Sequence, residues 1–192
     1  MTTSTRRGVL FAGVLGAAGL LSAAPALAAD SPWTQTFLTA HEDRMGWDVG
    51  AVTDTQADNA RLIIAIGKGY DIDSRGIQVA LTTAIVESWL YNRYTITDGT
   101  SGGLFQQQTS WGWGSFDEVR NKALATRAFF GVADHTSNPG LVDAFPNGVT
   151  GSIGAAAQTI QGSAYPQRYV DAAPDAATLY ERCAADVAPF RG

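Results

Sequence analysis

Residues 76–90, GIQVALTTAIVESWL, hold a single charge, Glu87. Ile77, Ala80, Leu81, Ala84, Ile85 and Leu90 recur there at helical spacing. The run reads as a buried helix, and a helix that is apolar all round has to be covered by the rest of the chain. Glu87 stands near its end. The other glutamates, Glu42, Glu118 and Glu181, sit among polar neighbours. A carboxylate at the end of an apolar helix loses hydration, which raises its pKa. A carboxylic acid that holds its proton near neutral pH is what general acid catalysis requires. The plainer alternative is a helix-end glutamate that reaches water.

The residues after Glu87 favour the chemical reading. A turn-rich stretch, 92–99, leads into Ser101-Gly102-Gly103-Leu104-Phe105-Gln106-Gln107-Gln108 and then Trp111-Gly112-Trp113-Gly114. Paired glycines let the backbone approach a ligand or another element closely. Glutamines supply neutral donors and acceptors suited to hydroxyl and acetamido groups. Tryptophans offer flat apolar faces on which sugar rings stack. A solitary acid, an amide strip and aromatics together suggest a carbohydrate site. Against this, Trp111 and Trp113 are equally well read as packing residues, and Gln106 and Gln107 as surface amides.

Four blocks carry a family resemblance: Gln56 to Ile63, Ala84-Ile85-Val86-Glu87-Ser88, Ser101 to Gln107 with Gly112-Trp113-Gly114, and Ala156 to Pro166. In that order they resemble the secreted lysozyme-like lytic transglycosylases of actinobacteria, themselves similar to goose-type lysozymes and soluble transglycosylases. The resemblance covers residues 56–169. It implies a mainly α, lysozyme-like domain with a small irregular β-hairpin, and Glu87 as the catalytic acid. It further implies a substrate-binding set of Ser101, Gly103, Leu104, Phe105, Gln106, Gln107, Trp113, Gln158, Tyr165 and Tyr169, with one of the two tyrosines facing the acid. Ser88 supports the Glu87 region in that family. Three positions depart from the family pattern: Thr100, Gln108 and Gly162 stand where acidic or basic residues are common.

The implied chemistry is cleavage of peptidoglycan glycan strands. Glycosidases ordinarily use two carboxylates. Asp98, in Thr97-Asp98-Gly99, is the candidate second one, although Asp before Gly is also a plain turn former. If Asp98 stands across the sugar, hydrolysis is available. If it does not, Glu87 alone would protonate the leaving oxygen and then deprotonate the muramic acid's own hydroxyl, which is lytic transglycosylase chemistry. Two rivals remain open: a wall-binding protein without turnover, and a protein acting on another amino-sugar polymer such as chitin or chitosan.

The amino terminus sets the compartment. Arg6-Arg7 precedes the apolar run 8–24, and Ala26-Leu27-Ala28 forms a small-x-small cleavage pattern. Residues 1–29 read as a signal peptide, and Ser4 to Leu10 resembles a twin-arginine signal. Secretion or cell-wall association is expected, without membrane insertion after processing. All 18 acidic residues and 11 of the 13 basic ones follow the leader, a mature net charge of −7. That balance argues against nucleic acid as partner. Residues 30–54 read as an N-terminal extension, with a helix at 34–44, and residues 55–192 as one catalytic domain. The mature protein reads as a monomer.

Cys183 is the sole cysteine, so no internal disulfide forms. On a helix over 176–187 it reads as a buried thiol. With His41 and His135 far apart in the chain, neither a Cys–His pair nor a structural metal site is expected, and no cofactor is implied. Helices are expected over 55–68 and 150–163, and a hairpin within 94–108. A further helix starts at the Ser115–Glu118 capping box and runs towards Phe129 and Phe130. Residues 136–149, with two prolines and two glycines, read as a loop.

Overall fold

Thr53 and Gln56 satisfy each other's backbone donors. Thr53 Oγ1 accepts from Gln56 N, and Gln56 Oε1 accepts from Thr53 N at 2.9 Å. This reciprocal cap starts α1 (Asp54–Gly69). Asp73 starts α2 (Ser74–Ser88) by accepting from Gly76 N at 2.7 Å. The structure, a computed structural model, describes residues 51–97 and 99–191. The leader, almost all of the extension with its expected helix at 34–44, and Asp98 lie outside the described residues.

Three short strands follow α2: β1 (Arg93–Thr97), β2 (Ser101–Gly103) and β3 (Gln107–Gln108). They form an antiparallel sheet in chain order. Arg93 pairs with Gly103, Thr97 with Ser101, and Ser101 with Gln108. The rest is helical: α3 (Phe116–Arg120), α4 (Lys122–Phe130), α5 (Leu141–Ala144), α6 (Ile153–Gln161) and α7 (Gln167–Cys183). The chain is thus mainly helical with one small sheet.

α2 is the axle. Ile77, Val79 to Val86 and Ser88 are buried, so polar Thr82 and Thr83 are enclosed along with the aliphatics. α7, α6, α1 and α4 pack around it. Phe105 of the β2–β3 connection stacks on Phe129 of α4, with centroids 4.8 Å apart, and both join the same core. Gly154 allows the closest approach. A Cβ there would stand 2.6 Å from Val170 Cα, so α6 meets α7 backbone to backbone.

Four local expectations change. The helix expected from Ser115 to Phe130 is two helices. Asn121 leaves helical geometry (φ −80°, ψ 111°) and its side chain caps α4 by accepting from Ala123 N and Leu124 N. The loop expected over 136–149 contains α5, whose Asp143 accepts from Gly140 N at 2.9 Å. The expected 150–163 helix is shorter, beginning only after Ser152. The last helix begins at Gln167, well before residue 176, because Pro166 occupies the position before the first turn and Pro174 is tolerated inside. Pro174 and Val170, whose carbonyl it leaves without an N–H, are both exposed, so water can serve that carbonyl. Cys183 is buried beside Leu179, and burial raises its thiol pKa, as an inert structural thiol requires. Among the described residues no helix is long and apolar enough to cross a membrane.

Candidate active site

The end of α2 is built under constraint. Trp89 and Leu90 both have φ of 59°, a left-handed conformation that is costly for large residues. Two side chains from α1 hold them there. Gln56 Nε2 donates to Trp89 O at 2.9 Å, and Asn59 Nδ2 donates to Leu90 O at 2.7 Å. Leu90 N closes the helix on Ala84 O at 3.0 Å. Ser88 is buried and donates to Leu104 O at 2.6 Å, tying the helix end to the segment after β2. Glu87 therefore projects from a last turn clamped on two sides.

Glu87 itself is half-buried. The Tyr169 hydroxyl of α7 donates to its Oε1. Gln161, the last residue of α6, also hydrogen-bonds the carboxyl, while its Nε2 donates to Phe105 O at 3.0 Å. Burial pushes the Glu87 carboxyl above the ordinary carboxylate range. The bonds from Tyr169 and Gln161 and the nearby Arg168 charge pull the other way but do not prevail. The Tyr169 ring is fully enclosed. Burial first, and then the adjacent Glu87, hold its phenol well above the ordinary range, so it stays a donor. The Ser163 hydroxyl bonds the Tyr169 oxygen, giving a relay from Ser163 through Tyr169 to Glu87. Gln158 Nε2 fixes Ser163 by donating to its carbonyl at 2.8 Å.

The strip after Glu87 is placed differently from the sequence reading. Leu104 and Phe105 are wholly buried, Gln107 donates from its buried amide to Ala125 O at 3.1 Å, and Trp113 packs with Val119 and Ala128. Their side chains hold the sheet against α3 and α4 and are closed to a ligand. Ser101 is likewise buried in β2. Gly103 serves close approach to protein, because a Cβ there would fall 1.9 Å from Val119 O at a φ of +75°. Gln106 is half-buried, with a φ of 46° and its amide on Gly103 O at 2.9 Å. Trp111 is 73 % exposed and Tyr165 is 59 % exposed.

Of the residues singled out from sequence, the structure brings together Glu87, Tyr169 and, through Ser163, Gln158. Gln161 and Ser163 belong to the late Ala-Gln-x-x-Gln-x-Ser block and Gln56 and Asn59 to the first block, but the sequence assigns a site role to none of them, nor to Arg168. Gln161 lies inside the quoted late block, but nothing local marks an amide that acts on a carboxyl 74 positions away in the chain. No other carboxylate among the described residues contributes to the Glu87 environment. Among the described residues no group of three or more His, Cys, Asp or Glu is placed to hold a metal ion. Two cavities, of about 180 Å³ beside Asp73 and Phe145 and about 370 Å³ along Thr136 to Pro139, are not lined by Glu87. Compared with known proteins, the chain matches no family model and no curated protein.

Proposed function

We propose that this protein is an exported, lysozyme-like enzyme that cleaves the glycan strands of peptidoglycan as a lytic transglycosylase, with Glu87 as its general acid and base. The observation that carries this reading is the environment of Glu87. It is a desolvated acid at the end of a buried helix, bonded by one phenol and one amide, with no carboxylate partner among the described residues. Burial raises the pKa of the acid, so it holds its proton to higher pH than an ordinary glutamate and can pass it to the glycosidic oxygen. The C1–O4 bond breaks as that oxygen takes the proton. Glu87, now a carboxylate, is stabilised by Tyr169 and Gln161. It then removes the proton from the C6 hydroxyl of the same muramic residue as that oxygen bonds to C1. Glu87 ends protonated, and no water is consumed.

The pair of roles asks for a carboxyl whose two protonation states are close in free energy. Desolvation, the larger effect, favours the protonated form, and the hydrogen-bond donors favour the ionised one. The leader-like residues 1–29 and the four sequence blocks support export and wall substrate. Incubation with purified sacculi followed by mass spectrometry tests the proposal. Anhydro-muramic ends are expected. Reducing muramic ends would replace this mechanism by hydrolysis, and no release would remove the enzymatic reading.

A further inference from the structure

Arg61, Arg120 and Arg191 each pair with an aspartate, at 3.2, 3.1 and 3.4 Å. Arg168 does not: among the described residues no carboxylate lies within ion-pair distance of it. Yet it stands in the first turn of α7, directly before Tyr169, and its charge is felt by both Glu87 and Tyr169. Its guanidinium lies over the Tyr165 ring, 4.3 Å from the centroid. The residue is half-buried, and its Nε is enclosed without a hydrogen-bond partner among the described residues.

Glu87 is not within ion-pair distance of this cation. The guanidinium carbon lies over an exposed aromatic ring, and no protein carboxylate among the described residues takes up its N–H donors. A planar fork of donors matches a carboxylate, with two parallel bonds. Tyr165, 59 % exposed, adds a ring face beside it on which a sugar can lie. We infer that Arg168 binds a carboxylate carried by the sugar at the Glu87 site, making the enzyme selective for an acidic amino-sugar, of the muramic type, over a neutral one. This rests on the glycan-cleaving reading above and assigns to Arg168 the recognition of the acidic group on that substrate.

The test is calorimetric binding in the Glu87→Gln protein, so that the ligand is not consumed. Three tetrasaccharides of equal length serve as probes: a neutral N-acetylglucosamine oligomer, an alternating muramic oligomer without peptide, and the latter with its lactyl carboxylates methyl-esterified. The muramic oligomer should bind best. Adding Arg168→Gln should weaken it about tenfold, the worth of one charge-assisted pair, while the neutral oligomer stays within about twofold. Esterification should cost as much with Arg168 present and nothing in the Arg168→Gln protein. Arg168→Lys should retain part of the preference, since it keeps the charge but loses the fork. Equal weakening of all three probes by Arg168→Gln would mean a structural role only, and an unchanged muramic affinity would mean no role; either overturns the inference while leaving the glycan reading intact. Absence of binding by all three probes before Arg168 is changed overturns both.

Discussion

Replacing Tyr169 by Phe deletes one oxygen and leaves the enclosed ring in place, so it isolates the hydrogen bond to Glu87. That bond is the largest of the effects that lower the Glu87 pKa against burial. A hydrogen bond to a charged partner is worth about 1.5–3 kcal/mol, and one to a neutral partner about 1 kcal/mol. The difference, roughly 0.5–2 kcal/mol, is the preference for ionised Glu87 that disappears, and its middle corresponds to about one pKa unit. The sign follows directly. Losing a donor to the carboxylate raises the pKa further, so the acid keeps its proton to higher pH. The alkaline limb of kcat/KM should therefore move up by about one unit. The rate at the optimum should fall about tenfold or more, because the carboxylate that must act as base in the second half is no longer held by the phenol. The assay is release of soluble glycan from purified sacculi across pH, with circular dichroism to confirm the fold. An alkaline limb that stays put or moves down would refute the reasoning, whatever happens to the rate.

Three further outcomes are expected. Glu87→Gln should alter stability as well as activity. Because the folded-state pKa is raised above the ordinary 4.5, the native state holds its proton longer than the unfolded chain, and stability falls as pH rises between the two values. The substitution removes that penalty, so its thermal midpoint relative to wild type should be higher at about pH 7 than at about pH 4, and a pH-independent difference would contradict the burial argument. Gly154→Ala places a methyl 2.6 Å from Val170 Cα, forces α6 off α7, and should cost about 1–3 kcal/mol in urea unfolding together with activity, since Gln161 and Tyr169 ride on those helices. Asp98→Asn keeps the turn former and should change turnover only modestly; a loss as deep as that of Glu87→Gln would bring a second carboxylate into the mechanism.

The part of this molecule legible in the sequence is the part specified by neighbours in the chain. Residues 76–90 reveal both the buried helix and the odd position of Glu87, because periodicity and missing charge are local signals. The Ser115–Glu118 box likewise announced its helix, with Glu118 Oε2 accepting from Ser115 N at 2.7 Å. Asn121 was not read as a break, since an Asn is compatible with a helix interior as well as with a cap. Pro174 concealed the true start of α7, because a proline is tolerated only where its orphaned carbonyl faces water, and that depends on packing. The Gly-Gly-Leu-Phe-Gln-Gln strip shows a different limit. Its composition suits a ligand surface, but Phe105 is bound to Phe129 and Gln107 to Ala125 O, contacts that arise only once α4 folds back. The partners of Glu87 come from 74 to 82 positions downstream, and only the tertiary arrangement of α6 and α7 around α2 reveals them.

The most direct test of the central claim is the turnover of Glu87→Gln on purified sacculi, followed by mass spectrometry in parallel with wild type. Gln retains the shape of Glu and can still accept from Tyr169, but it can neither give the proton nor take one. A folded Glu87→Gln protein should therefore lose about 100- to 10,000-fold in rate while wild type releases anhydro-muramic ends. A folded variant that releases the same products at near wild-type rate would contradict the account.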